Sequence, residues 1–317
     1  MQLIIHQSRL SFRSPDDAVS PCPGSCVYKW GAMYENDAPP SGRVDPGPPA
    51  RTLASREPGT VELFNCEGSA AVLVLCDHAG RRIPPWLGDL GLPEAERARH
   101  IGFDLGAADL TRALARRLDA PAVLCHVSRL VIDPNREPGD PTSIPQISDG
   151  TFVPGNQDLG AAEVRRRLAV SFVPYHRAVA RQIARLRRRV GVPAILSIHS
   201  FTPVMRRVFR PWQVAVLYNA DLRLARPVLE ALKRDRSLQV GDNEPYSGRY
   251  PVGYSIPFHA ARPGFPHVTF EVRQDLIDSA AGAEAWAERL HDALGAPLAD
   301  RGLYVRRIDA APSDQPA

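Results

Sequence analysis

The sequence predicts an α/β protein, and three observations carry that reading. Short runs that are wholly apolar recur along the chain, stretches with apolar residues at helical spacing lie between them, and polar residues collect just after the apolar runs. Residues 70–76 (Ala-Ala-Val-Leu-Val-Leu-Cys) have the composition of a strand buried on both faces. Residues 105–118 are predicted as a helix, with Leu110, Leu114 and Leu118 four apart. Residues 122–125 and 130–132 are strand-like, and a loop rich in Pro, Gly and Ser follows over 134–160. Residues 161–190 carry a long helical stripe of Leu168, Phe172, His176, Val179, Ile183, Leu186 and Val190, which Pro174 should kink. Strands are then predicted at 194–198, 214–218 and 267–272, helices near 221–234 and 281–294, and a short last strand at 303–306. Such alternation predicts a largely parallel or mixed sheet covered on both faces.

Residues 1–57 differ in kind. They are rich in Pro, Gly, Ser and Asp and show no periodicity, so a disordered segment is expected there. A single domain is expected over 58–307, with a disordered tail over 308–317.

Composition excludes several function classes. The net charge is +4, with Lys29 and Lys233 the only lysines. The densest basic cluster, Arg185, Arg187, Arg188 and Arg189, sits at the end of a helical pattern, where cations suit the helix dipole. It reads as a solvated face, and no nucleic-acid partner is expected. No run of about 18 apolar residues occurs, so no membrane span is expected. The first residues make a poor signal peptide. The five cysteines, at 22, 26, 66, 76 and 125, form no CxxC pair. Reduced thiols in a cytoplasmic protein fit best.

In open α/β sheets, ligands bind beyond the C-terminal ends of strands. His78 follows the run 70–76; Asp133, Asn135 and Arg136 follow 130–132; His199 follows 194–198; and Glu271 lies in 267–272. Taken singly, each has a structural reading. Glu271 could pair with Arg273, and His176 lies on a helix's apolar face, where a hydrogen-bonded core histidine is the commoner case. Together, four strands bring His, Asn-Arg, His and Glu to one edge. Two histidines and a carboxylate make a catalytic zinc centre with one position left for water. A second carboxylate serves as general base and an arginine holds a carboxylate or oxyanion.

The ordered motifs resemble the N-formylglutamate amidohydrolase family. They are Val74-Leu-Cys-Asp-His-Ala-Gly80 with Ile83-Pro-Pro85, Arg99-His-Ile-Gly-Phe-Asp-Leu-Gly106, Ser128-Arg-Leu-Val-Ile-Asp-Pro-Asn-Arg136, Pro174-Tyr-His176, Ser197-Ile-His-Ser200 and Phe270-Glu-Val-Arg-Gln-Asp-Leu276. That family is in turn distantly similar to zinc carboxypeptidases, whose motifs match Asn135-Arg136, His199-Ser200 and Phe270-Glu-Val-Arg273. The resemblance implies a three-layer α/β/α fold with a mixed, mostly parallel sheet of about eight strands. It implies Zn2+ held by His78, His199 and a third ligand. Carboxypeptidases take that ligand three residues after the first histidine, where this chain has Arg81. Asp104 is the candidate by resemblance, and Asp77 is the alternative. Neighbours on an extended chain point to opposite faces, which disfavours Asp77 beside His78.

The implied roles follow. Glu271 is the general base, and Arg129 or Arg136 stabilises the oxyanion. Arg136 with Asn135 pairs with a substrate carboxylate, and His176 and His259 contact substrate or relay protons. The implied substrate is a small N-acyl amino acid, foremost N-formyl-L-glutamate, cleaved to formate and glutamate in histidine catabolism. Two alternatives stay open: a zinc peptidase or amidase acting on peptide or cell-wall substrates, and a non-catalytic module binding acids through Arg129 and Arg136. A lid formed by 137–160 would favour small substrates.

Overall fold

The computed structural model describes residues 59–249 and 253–307. The segments expected to be disordered, 1–57 and 308–317, lie outside these residues. In chain order the strands are β1 (Val61–Phe64), β2 (Val72–Cys76), β3 (Ala122–Cys125), β4 (Ile147–Ser148), β5 (Thr151–Phe152), β6 (Ala194–Phe201), β7 (Val204–Met205), β8 (Val208–Phe209), β9 (Val214–Leu217), β10 (Val240–Asp242) and β11 (His267–Arg273). The helices are α1 (Glu94–Arg97), α2 (Ala107–Leu118), α3 (Ala161–Arg167), α4 (Val173–Val190), α5 (Ala225–Leu232) and α6 (Ala280–Ala299).

One seven-stranded sheet runs in the order β1-β3-β2-β6-β11-β9-β10. Its pairs are parallel except β1 with β3 and β11 with β9, so the sheet is mixed and mostly parallel, as expected. It has seven strands where about eight were anticipated. Every residue of β2, β3, β6 and β9 is buried, which is why these strands read as apolar runs rather than alternating ones. α2, α5 and α6 pack together over one face, against a core that includes Val74, Leu124, Leu196, Val216 and Phe270. On the other face α4 covers β1, β2 and β3. Among the described residues no helix is long and apolar enough to cross a membrane.

Three expectations change. The helix of 161–190 is broken: α3 passes through a π-helical turn, 168–172, into α4, and Pro174 sits in the first turn of α4. A proline has no N–H to donate, and a widened turn accommodates its ring. Residues 130–132 form a buried turn rather than a strand. Their carbonyls are taken by side chains, Leu130 O by the Asn156 amide (2.9 Å) and Val131 O by buried Arg167 (3.2 Å), so no ladder forms. Residues 301–303 are a 3-10 turn in place of the start of a last strand, and the carbonyls of Leu303 and Val305 accept from Arg223.

Candidate metal centre

β2, β6 and β11 are mutually parallel, so their C-terminal ends share one edge of the sheet. The register sets Glu271 of β11 level with His199 of β6. It also pairs Leu75 with Ser197, so two residues further on Asp77 comes level with His199. His78 follows directly. Asp104 arrives from the loop before α2. Its N–H donates to His78 O (3.0 Å), and the Ser200 hydroxyl ties the next carbonyl, Leu105 O (2.7 Å). Gly106 makes this entry possible: its φ is +76°, and a Cβ there would lie 2.1 Å from the Ile277 carbonyl.

His78, Asp104 and His199 can each offer one ligand atom, all within 4.8 Å of one another. Both histidines present Nδ1 to the same oxygen, Asp104 Oδ2, at 3.3 Å from His78 and 2.8 Å from His199. Both turn Nε2 to a different buried carboxylate. His78 Nε2 meets Asp133 Oδ1 at 2.8 Å, and His199 Nε2 lies 3.3 Å from Asp77 Oδ2, within ion-pair reach but not aligned for a hydrogen bond. Metal-bound imidazoles are held in this manner, the far ring N–H being given to a carboxylate.

The electrostatics ask for a cation. Asp77, Asp104, Asp133 and Glu271 are all buried, and the arginine set among them is Arg129. Arg129 donates twice to Asp133 Oδ2 (2.7 and 3.1 Å) and reaches Asp104 Oδ1 at 3.5 Å. Burial opposes charge on Asp77, but His199, His78 and the Ser255 hydroxyl outweigh it and hold its carboxyl at about 2. Tyr175 donates to the same Asp77 oxygen (2.7 Å). Burial likewise opposes charge on Asp104 and Asp133, and the histidines and Arg129 hold both well below the carboxylate range. Burial disfavours a charged His199, but Asp104 and Asp77 raise it well above its ordinary value. A divalent ion at the Nδ1 side would supply the positive charge that the cluster otherwise draws from protons. Two imidazoles and a carboxylate are zinc's ordinary donor set, so these residues fit that ion.

Glu271 stands beside this cluster. Burial, aided by Asp104, pushes its carboxyl up to about 7, and its Oε2 is buried without a hydrogen-bond partner among the described residues.

The site opens into a cavity of about 540 Å³. It lies over β6, β11 and the end of β9, on the face where α4 covers β1 to β3. His78, Asp104, His199, Glu271, Arg129, Asn135 and Arg136 all line it. Asn135 Oδ1 is already committed, accepting from the N–H groups of Tyr254 (2.8 Å) and Ser255 (3.0 Å). Gly253 lets that loop approach, since a Cβ there would sit 2.6 Å from the same oxygen. Among the described residues the Arg136 guanidinium has no hydrogen-bond or ion-pair partner.

His176 and His259 stand behind the cavity. Both are fully buried, and neither is part of the cavity wall. His176 Nε2 donates to Pro134 O (2.8 Å), which leaves its Nδ1 to accept from His259 Nε2 (2.9 Å). Burial pushes His176 down to about 4 and His259 well below its ordinary value, so both rings are neutral. They position the 133–136 turn from behind.

A family model described as N-formylglutamate amidohydrolase matches residues 70–278. The chain belongs to the N-formylglutamate amidohydrolase family. It is 28% identical over 159 residues to an N-formylglutamate deformylase of Pseudomonas aeruginosa; the match spans 45% of this chain and 56% of that relative. It is 35% identical to a gene product of Agrobacterium tumefaciens of known structure (TM-score 0.72), covering 75% of this chain and 94% of the other. The N-formylglutamate amidohydrolase of Ralstonia eutropha has the same fold (TM-score 0.58, 21% identity), covering 75% and 96%.

In this amidohydrolase family member, what sequence reasoning missed for Asp133 and Asp77 is their place behind the two histidines, each facing one far ring nitrogen from the turn or the strand end. Further residues of the cavity wall also went unread. Tyr246 lines the cavity and accepts from Arg210 (2.9 Å). Ser197, Asn219 and His267 extend the polar floor away from Glu271. The 137–160 loop also lines the cavity, through Thr142, Pro145 and the β4–β5 hairpin. It is pinned down: Arg99 donates to Asp149 (3.0 Å) and Thr151 (2.9 Å), and Asn156 to Pro145 O (2.8 Å).

Proposed function

We propose that this chain hydrolyses the amide of a small N-acyl amino acid, foremost N-formyl-L-glutamate, at a zinc ion held by His78, Asp104 and His199. The observation that carries this reading is the shared aim of two Nδ1 atoms at Asp104 Oδ2 while each Nε2 faces a separate carboxylate. The family's name and the matched deformylase support the substrate. A cavity of about 540 Å³ suits a small molecule.

Bound there, zinc supplies Lewis-acid chemistry, lowering the pKa of a water and polarising the amide carbonyl. Glu271, level with His199 and with Oε2 lacking a hydrogen-bond partner among the described residues, is placed for proton transfer there. It takes a proton as water oxygen bonds to the formyl carbon, and returns it to the amide nitrogen as the carbon–nitrogen bond breaks. Water and N-formylglutamate thereby become formate and glutamate. Arg129, held by Asp133 and Asp104, fixes the charge around His78. Arg136, whose guanidinium has no hydrogen-bond or ion-pair partner among the described residues, takes the α-carboxylate bidentately.

The test is metal content by mass spectrometry together with formate release. About one zinc per chain, lost in His199→Ala, and formate released from N-formyl-L-glutamate are expected. Glu271→Gln should keep the zinc and lose roughly 10²- to 10⁴-fold in kcat. Protein that takes up no zinc and releases no formate overturns the proposal.

A further inference from the structure

The segment after β10 lines the cavity through Tyr246, Ser247 and Gly248. Asn243 closes it into a loop, its Oδ1 accepting from the N–H groups of Tyr218 and Gly248, both at 3.0 Å. Tyr246, 38% exposed, stands inside that loop, and its hydroxyl is tied to another element. Arg210, whose N–H closes the base of the β7–β8 hairpin on Pro203 O (2.8 Å), donates to the phenol oxygen at 2.9 Å. Its guanidinium lies 4.9 Å from the centre of the Tyr246 ring and 5.9 Å from that of Phe201. Phe201 pairs with Arg273 across β6 and β11, each two residues beyond His199 and Glu271 on its strand. Residues two apart share a face, so Phe201 continues the side on which His199 lies. The anchor of the phenol thus stands about one strand repeat, roughly 7 Å, beyond His199 and Glu271. A phenol hydroxyl both accepts and donates. Arg210 fills the accepting side, and among the described residues nothing takes the proton. Burial, with Glu271 adding to it, raises the phenol above its ordinary value, so the proton stays on at neutral pH. A cation bonded to the oxygen polarises the O–H and strengthens it as a donor.

We infer that Tyr246 is a further catalytic residue, donating its O–H to the amide carbonyl oxygen as that oxygen gains charge, with Arg210 as the residue that positions it. The inference rests on the hydrolase reading above and deepens it. The phenol keeps its proton throughout: it adds a hydrogen bond to the charged oxygen, and no bond of its own breaks. The proton that reaches the amide nitrogen is still the one carried by Glu271. A donor of this kind is worth most once the carbonyl carbon is tetrahedral, so its loss falls on kcat more than on KM.

Tyr246→Phe keeps the ring and deletes one hydroxyl. Formate release from N-formyl-L-glutamate should show kcat lowered about 10²-fold, with KM within about twofold and zinc content unchanged. Arg210→Met should lower kcat by less, about tenfold. Combined with Tyr246→Phe it should lower kcat no further than Tyr246→Phe alone, because a positioning residue acts only through the group it positions. An unchanged kcat in Tyr246→Phe overturns the inference, and so does a loss carried by KM alone, which marks a group that only holds a substrate carboxylate. Losses that add in full in the double variant overturn the part given to Arg210. Should wild type release no formate, the hydrolase reading fails separately. Calorimetry in zinc-containing buffer then decides, with a phosphonamidate of L-glutamate, tetrahedral and anionic at the acyl position, against N-formyl-L-glutamate. Tyr246→Phe weakening the first by about tenfold and the second by less than about twofold keeps the donor; equal changes, or none, remove it.

Discussion

His78 and His199 approach Asp104 from neighbouring strands, yet each is oriented by its own carboxylate, Asp133 for one and Asp77 for the other. A carboxylate behind an imidazole fixes the tautomer and raises the basicity of the ligating nitrogen. Asp133→Asn keeps the shape and removes the charge, and zinc affinity should weaken by about 10- to 100-fold. Chelator competition on the purified variant measures this, and an unchanged affinity would show that Asp133 has no hold on the ligand. The convergence of His78, His199 and Glu271 on one edge was legible in the sequence because each follows or ends an apolar run, and strand ends converge. Asp104 needed the family resemblance, because no periodicity shows that a loop before a helix folds back onto His78. Asp133's partner could not be read, since it depends on a buried turn whose carbonyls are satisfied by Arg167 and Asn156, residues from elsewhere in the chain. His176 could be read two ways for a related reason. A buried polar side chain on an apolar stripe looks the same in sequence whether it faces a cavity or another histidine.

Legibility at the level of elements follows burial. The strands buried on both faces carry their own signal, and so do α2 and α4, whose stripes repeat at helical spacing. The two-residue strands of the β4–β5 and β7–β8 hairpins, and the edge strands β1 and β10, are too short or too exposed to show one. β1 still contributes through charge. Glu62 accepts from Arg112 of α2 at two oxygens (2.9 and 2.7 Å) and faces His126 at 2.6 Å. The bond to Arg112, working against partial burial, holds Glu62 at about 2 instead of its ordinary 4.5. A carboxyl with a lowered folded pKa gives stability that is complete above about 4.5 and is lost as pH falls towards 2. Glu62→Gln should therefore lower the denaturation midpoint at pH 6 and narrow the gap to wild type at pH 3. A gap independent of pH would mean that the pair adds nothing to anchoring β1.

The whole molecule divides its sheet between two tasks. One face is sealed by α2, α5 and α6; on the other, α4 seals β1 to β3 and the cavity takes the surface over β6 and β11. The cavity side gathers four buried carboxylates, an arrangement that costs stability unless cations offset it. A zinc ion bound by the native chain and not by the unfolded one shifts the folding equilibrium by RT ln(1 + [L]/Kd), about 2.7 kcal/mol at a hundredfold excess over Kd. For a domain of this size each kcal/mol moves Tm by roughly 2–4 °C. Zinc-loaded protein should thus melt about 5–10 °C above chelator-treated protein. His199→Ala, which removes one ligand, should show little of that difference. The comparison separates the ion's contribution from the packing of the sheet. Sheet packing acts equally in both samples, so equal melting temperatures with and without chelator would mean that the carboxylates are balanced by protons on His78 and His199 and that no metal is needed to hold the edge of the sheet together.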